Sequence, residues 1–105
     1  MSKYVFAYHG SHDMPDTEEG QAELMAAWGA WFESMGGAVV DGGNPFSQNR
    51  TVNPDGSVTA DGGANPATGY SVVEASDIDA AIELARGCPV LAGGGTVEVC
   101  EAIDM

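Results

Sequence analysis

Cationic side chains are scarce in this sequence. Its 105 residues contain 3 Lys and Arg against 16 Asp and Glu, which gives a formal net charge of −13 and a pI near 4.1. Binding to nucleic acids and to anionic membranes depends on clusters of Lys and Arg, so neither partner is expected. The imbalance does not predict disorder, because 44% of the residues are hydrophobic and the acidic residues are dispersed along the chain.

Long apolar runs and disulfide-rich patterns are also missing. The apolar stretches are only a few residues long, and a strand-like pattern starts directly after Met1 and Ser2. We therefore expect neither a membrane span nor a secretory segment. Cys88 and Cys100 are expected to be reduced thiols of a cytoplasmic protein, and one structural disulfide is the alternative.

Hydrophobic periodicity predicts four strands and two helices. The strands are runs rich in β-branched and aromatic residues, namely Lys3–His9, Ala38–Asp41, Gly69–Ala75 and Thr96–Ile103. The first helix starts at Asp16 as its cap, ends at Gly36, and carries one apolar stripe: Leu24, Trp28, Trp31, Phe32 and Met35. The second starts with Ser76 and Asp79 as a capping box and ends at Gly87.

The order of these elements predicts an α+β fold. The pattern is the ferredoxin-like βαββαβ arrangement with sheet order 4-1-3-2, formed by a single domain over residues 1–105. A hairpin is inserted between the second and third strands, where residues 50–53 and 57–59 flank Pro54-Asp55-Gly56. Both faces of the first and third strands are apolar, although the two helices cover only one face. This predicts a homodimer that packs through the other face of the sheet.

The sequence resembles the YCII-related family, also called the DGPF-domain family, over nearly its whole length. The resemblance is carried by GYSVVEASDIDAAIELARGCPVLAGGGTVEV at residues 69–99, by KYVFAYHG at residues 3–10 and by GGAVVDGGNPF at residues 36–46. It implies a ferredoxin-like subunit of a dimeric α+β barrel, and lyase, isomerase or dehydrochlorinase chemistry that uses a His and Asp pair. The sequence departs from this pattern because helix one has no histidine, its expected position falling near Trp28, and because DGGNPF replaces the DGPF motif.

Candidate catalytic residues are predicted at one end of the sheet. The topology gathers His9, His12, Asp13, Asp41, Asn44 and Tyr70 there. His9 is the candidate acid and base, since an imidazole exchanges a proton near neutral pH, and Asp41 is expected to orient it. Asn44 or Tyr70 would donate a hydrogen bond to a developing oxyanion.

The further candidate residues could have either a functional role or a purely structural one. Trp28 would line a pocket or belong to the core, and Arg50 is the cation best placed to reach a ligand carboxylate. His9, His12 and Asp13 could hold a metal, but their spacing matches no recognised motif, so neither a metal nor a cofactor is predicted. The glycine-rich loops lack the spacing and the lysine of phosphate-binding loops.

Two functions follow from these observations. The first is a small-molecule-binding protein, in the form of a lyase- or isomerase-type enzyme that uses His9 and Asp41 for proton transfer. The second is a non-catalytic ligand-binding or interaction subunit that keeps the fold. A cavity with polar groups converging on His9 would favour the enzyme.

Overall fold

The fold is known from a computed structural model that describes residues 1–10, 16–61, 63 and 65–103. The elements, in chain order, are β1 (Ser2–His9), α1 (Glu18–Met35), β2 (Val39–Asp41), β3 (Thr51–Val52), β4 (Val58–Thr59), β5 (Ala67–Ala75), α2 (Ile78–Ala85) and β6 (Thr96–Ala102). Short 3₁₀ turns occupy Gly36–Ala38 and Pro89–Gly93. The predicted α+β architecture is confirmed.

The main sheet is antiparallel, with strand order β2-β5-β1-β6. The four predicted strands are β1, β2, β5 and β6 in chain order, so this is the predicted order 4-1-3-2 read from the opposite edge. The remaining strands, β3 and β4, form the predicted hairpin as a separate two-stranded sheet. β1 is a central strand: its Ala7 lies opposite Tyr70 of β5 and Glu98 of β6. The register therefore fixes which side chains of these three strands share a face.

One face of the sheet is buried under the helices. Tyr4, Phe6 and Tyr8 of β1 are buried and alternate with half-buried Val5, Ala7 and His9, which occupy the other face. The buried face packs against Trp31 and Met35 of α1 and against Ala81 and Ala85 of α2. We call the other side the open face. None of the helices in the described part of the chain has the length and apolar character needed to cross a membrane.

Both helices begin one residue later than the sequence patterns predict. Thr17, and not Asp16, caps α1 by accepting a hydrogen bond from the Gly20 amide at 3.0 Å. Asp77, and not Ser76, caps α2 by accepting one from the Ala80 amide at 2.8 Å. In both helices the side chain that caps is the one whose oxygen reaches the amide three residues ahead.

Candidate functional site

A cavity of about 660 Å³ lies between α1 and the helix-covered face of the sheet. One wall is formed by α1 side chains, which are Leu24, Met25, Trp28 and Phe32. These residues lie next to the α1 residues that pack on the sheet. The cavity is therefore the space beside the core where α1 and the sheet are not in contact. We call it the α1 cavity.

Loops and the start of β5 form the remaining walls. They are contributed by Gly42–Pro45, Thr68–Ser71 and the 3₁₀ turn after α2. No Asp, Glu, Lys, Arg or His is among the lining residues of the described chain. Cavities of this size and apolar character are typical of sites for small organic ligands.

The two tryptophans of α1 have different environments. Trp31 is buried and donates its indole N–H to the Leu84 carbonyl at 2.9 Å, which joins α1 to α2. Trp28 is half-buried, and its ring meets Tyr8 edge-on, with the centroids 5.1 Å apart. Trp31 is thus a core residue, whereas Trp28 borders the cavity and is available to a ligand.

Tyr8 and Ser71 form a hydrogen-bond chain in the cavity wall. The Tyr8 hydroxyl donates to Ser71 Oγ at 2.7 Å, and Ser71 donates to the Gly42 carbonyl at 2.7 Å. Burial raises the pKa of the Tyr8 phenol to about 12, so the phenol stays neutral at physiological pH. The chain connects β1, β5 and the loop after β2.

Asp41 shapes the loop that closes one side of the cavity. Its carboxylate accepts a hydrogen bond from the Gly43 amide at 2.9 Å, a turn-stabilising contact typical of Asp. Gly43 has φ +72°, and its α-carbon lies so close to β5 that a Cβ would be 1.7 Å from the Tyr70 carbonyl oxygen. The loop Gly42–Pro45 is therefore held tightly along the start of β5 by Asp41 and by the absence of a side chain at position 43.

His9 lies on the open face, away from the α1 cavity. Its Nδ1 is 2.9 Å from the Asn65 carbonyl oxygen, and its Nε2 is 3.0 Å from Glu98 Oε1. A carbonyl and a carboxylate both accept hydrogen bonds, so both ring nitrogens of His9 face acceptors. The His9 side chain is 15% exposed and that of Glu98 is 62% exposed.

The structure separates His9 from Asp41. His9 pairs with Ala67 and Asp41 pairs with Val72, which lie five residues apart on β5, and β5 itself lies between their strands. Standard strand dimensions then put the two α-carbons roughly 19 Å apart. The expectation that Asp41 orients His9 is wrong for this geometry, and Glu98 is the carboxylate that contacts the imidazole.

The other predicted residues divide between two places. Trp28 and Asn44 border the α1 cavity, and so does Tyr70, although the position of Tyr70 opposite Ala7 puts its side chain on the open face. The ring of Tyr70 stacks on Phe46, with the centroids 5.8 Å apart. Arg50 borders a separate hollow of about 250 Å³ near the hairpin, where it donates to the Asn49 and Ala60 carbonyls at 2.8 and 3.3 Å.

Among the described residues, neither the cysteine thiols nor a metal site adds a reactive group to the α1 cavity or to the surroundings of His9. Cys88 and Cys100 are both free thiols. Burial raises the pKa of Cys88 to about 11, and burial and the nearby Glu98 raise that of Cys100. No group of three potential metal ligands occurs within residues 1–10, 16–61, 63 and 65–103. His12 and Asp13, which the metal alternative requires, lie outside the described residues.

The chain matches the model of a known protein family. The model of the YCII-related domain matches residues 5–105, which is nearly the whole chain. No curated protein matches the chain. The family name specifies no reaction.

Proposed function

Because the chain belongs to the YCII-related domain family and contains the α1 cavity, we propose that it binds a small, uncharged organic molecule there. The observation that carries this proposal is the lining of the cavity, which combines apolar side chains, the half-buried Trp28 ring and loop backbone without a charged side chain. Such a surface binds a ligand by removing its apolar area from water and orients it with a few polar groups.

The distribution of charge supports an uncharged ligand. The only Lys and Arg residues of the chain are Lys3, Arg50 and Arg86, and none of them borders the α1 cavity. Arg50 is held by backbone carbonyls, and Arg86 pairs with Glu83 at 3.0 Å. An anionic ligand would therefore lose its hydration without gaining a counter-charge, in a protein whose net charge is −13.

Nuclear magnetic resonance tests this proposal directly. The probe is 2-methoxynaphthalene, and the anion 2-naphthoate is its charged control. We expect 2-methoxynaphthalene to shift the indole N–H signal of Trp28 more than that of Trp31, because Trp28 borders the cavity and Trp31 does not. Trp28→Ala should weaken binding at least ten-fold, as measured by the backbone amide signals of Gly43 and Gly69, which also border the cavity. The proposal fails if neither indole signal moves at the solubility limit of the probe, or if 2-naphthoate binds more tightly.

A second candidate function is proton transfer of the lyase or isomerase type at His9 on the open face. It is supported by the His9–Glu98 contact at 3.0 Å, since a carboxylate that orients an imidazole is the usual partner of a histidine acid or base. It requires the substrate to replace the Asn65 carbonyl at Nδ1, because both ring nitrogens are occupied. A thermal-shift screen of small organic molecules tests it with His9→Ala and Trp28→Ala side by side. If a ligand raises the melting temperature of the protein and of Trp28→Ala but not that of His9→Ala, the open-face site is supported. If it fails to do so only in Trp28→Ala, the α1 cavity alone is supported.

We also propose that the chain forms a homodimer through the open face. The face carries Val5, Ala7 and Val72 at its centre, all half-buried and without a covering element among the described residues. A second copy would remove this apolar area from water. Light scattering at several concentrations tests the assembly, and a monomer at all of them would refute it. A cytoplasmic location remains a prediction from the sequence.

A further inference from the structure

The hydrogen-bond chain in the wall of the α1 cavity has a fixed direction. The Gly42 carbonyl can only accept, so Ser71 must donate its single hydroxyl proton to it, across 2.7 Å. That proton is then unavailable to Tyr8. Tyr8 in turn must donate its own single proton to Ser71, also across 2.7 Å.

This direction leaves the Tyr8 oxygen as an acceptor without a proton to give. Both residues border the cavity, but Ser71 is fully buried, whereas Tyr8 keeps 6% of its surface exposed. Tyr8 is therefore the member of the chain that a ligand in the cavity can contact. The neutral phenol also retains its proton, so the direction of the chain does not change over the physiological range of pH.

We infer that the α1 cavity selects ligands that carry a hydrogen-bond donor, a hydroxyl or an N–H group, which donates to the Tyr8 oxygen. This inference rests on the proposed function and narrows it to a chemical class. An alcohol, phenol or amide would donate to the lone pair of the Tyr8 oxygen, while an ether or ketone of the same size would cover that lone pair without a donor. A buried acceptor that is cut off from water without a donor loses the free energy of its hydrogen bond to water.

Paired probes of one size test the selection. 2-Naphthalenemethanol and 2-methoxynaphthalene are isomers that both accept hydrogen bonds through oxygen, but only the alcohol donates one. We expect the alcohol to bind about five-fold more tightly, as measured by titration of the Trp28 indole signal, since one ordinary hydrogen bond contributes a factor of this size. The comparison uses the unmodified protein, so it does not depend on whether a variant folds.

Two variants locate the effect at the hydrogen-bond chain. Tyr8→Phe should abolish the preference for 2-naphthalenemethanol because it removes the accepting oxygen. Ser71→Ala frees the Tyr8 proton, so it should raise the affinity for 2-methoxynaphthalene, whose ether oxygen can then accept. Tyr4→Phe is the matched control, since Tyr4 is a buried tyrosine of the same strand that does not border the cavity. It should keep the five-fold preference.

The outcomes separate this inference from the proposed function. Equal binding of the two probes, with the Trp28 signal shifted by both, would refute donor selection while the cavity remains a binding site. A preference that persists unchanged in Tyr8→Phe would also refute it. If neither probe shifts the Trp28 signal, the proposed function fails and donor selection fails with it.

Discussion

Replacement of Gly43 by alanine should destabilise the protein more than any other single methyl addition in the loop after β2. Gly43 has φ +72°, a conformation that costs a residue with a Cβ about 1 kcal/mol. The added carbon would also be 1.7 Å from the Tyr70 carbonyl oxygen and 2.7 Å from the Tyr70 carbonyl carbon. Because both atoms are backbone, the loop and β5 must move apart.

The size of the effect follows from the contacts that this separation breaks. The loop and β5 are joined by hydrogen bonds from the Tyr70 amide to the Asn44 carbonyl at 3.3 Å and from the Phe46 amide to the Thr68 carbonyl at 2.8 Å. Each contributes about 1 kcal/mol. Together with the backbone conformation, Gly43→Ala should lower the free energy of unfolding by about 3 kcal/mol. That is a large share of the stability of a domain of this size.

Urea unfolding followed by tryptophan fluorescence measures this change, and Gly42→Ala is the matched control. A Cβ at Gly42 would meet no atom within 4 Å and its φ is not in the left-handed range, so Gly42→Ala should change the free energy by less than about 0.5 kcal/mol. If the two variants unfold at the same urea concentration, the close approach of the loop to β5 is refuted.

Three further predictions concern stability and assembly. Tyr8 and Cys88 have pKa values raised by burial to about 12 and about 11, from ordinary values of 10.0 and 9.0. The stability that they contribute is therefore complete below pH 9, and the free energy of unfolding should fall by about 1 to 2 kcal/mol towards pH 11 in urea titrations. Over that range the free energy of unfolding should fall less in Cys88→Ala than in the unsubstituted protein. An equal fall would show that Cys88 does not contribute to it. Asp77→Ala should cost about 1 kcal/mol because it removes the cap of α2, whereas Ser76→Ala should cost less than half of that in the same urea assay; the reverse order would contradict the capping geometry. Sedimentation velocity should show the proposed dimer tightening between 20 mM and 500 mM salt, since two copies at −13 repel each other, and a dimer that loosens with salt would point to ionic rather than apolar contacts.

The strands and helices could be predicted because their buried residues recur in the sequence at the spacing typical of each element. Tyr4, Phe6 and Tyr8 alternate on β1, and the stripe from Leu24 to Met35 repeats at helical spacing. The caps were predicted one residue early because Asp16 and Ser76 have oxygen-bearing side chains, as the true caps Thr17 and Asp77 do. Composition cannot decide between neighbours when both can cap, and only the geometry of the first turn does.

The pairing of His9 with Asp41 could not be judged from the order of the strands. The prediction places the C-terminal ends of β1 and β2 at the same edge of the sheet, but β2 has 3 residues and β5, which lies between them, has 9. β2 therefore pairs with the later part of β5, and the loop from Gly42 continues along β5 to its start. Glu98 was missed as the partner of His9 because the two residues are 89 positions apart, and only the register of β1 with β6 brings them together.

Adjacent residues of β1 serve the two faces of the sheet. Tyr8 points under α1 into the wall of the cavity, and His9 points to the open face, where Glu98 contacts it. A pleated strand turns successive side chains to opposite sides, so a ligand under α1 and a second copy on the open face would not compete for space. The proposed ligand binding and the proposed assembly are therefore separable: a His9 variant should alter only the open face, while the Trp28 indole signal continues to report probe binding with unchanged affinity. If the affinity for the probe changes in the His9 variant, then β1 transmits a change on the open face to the α1 cavity.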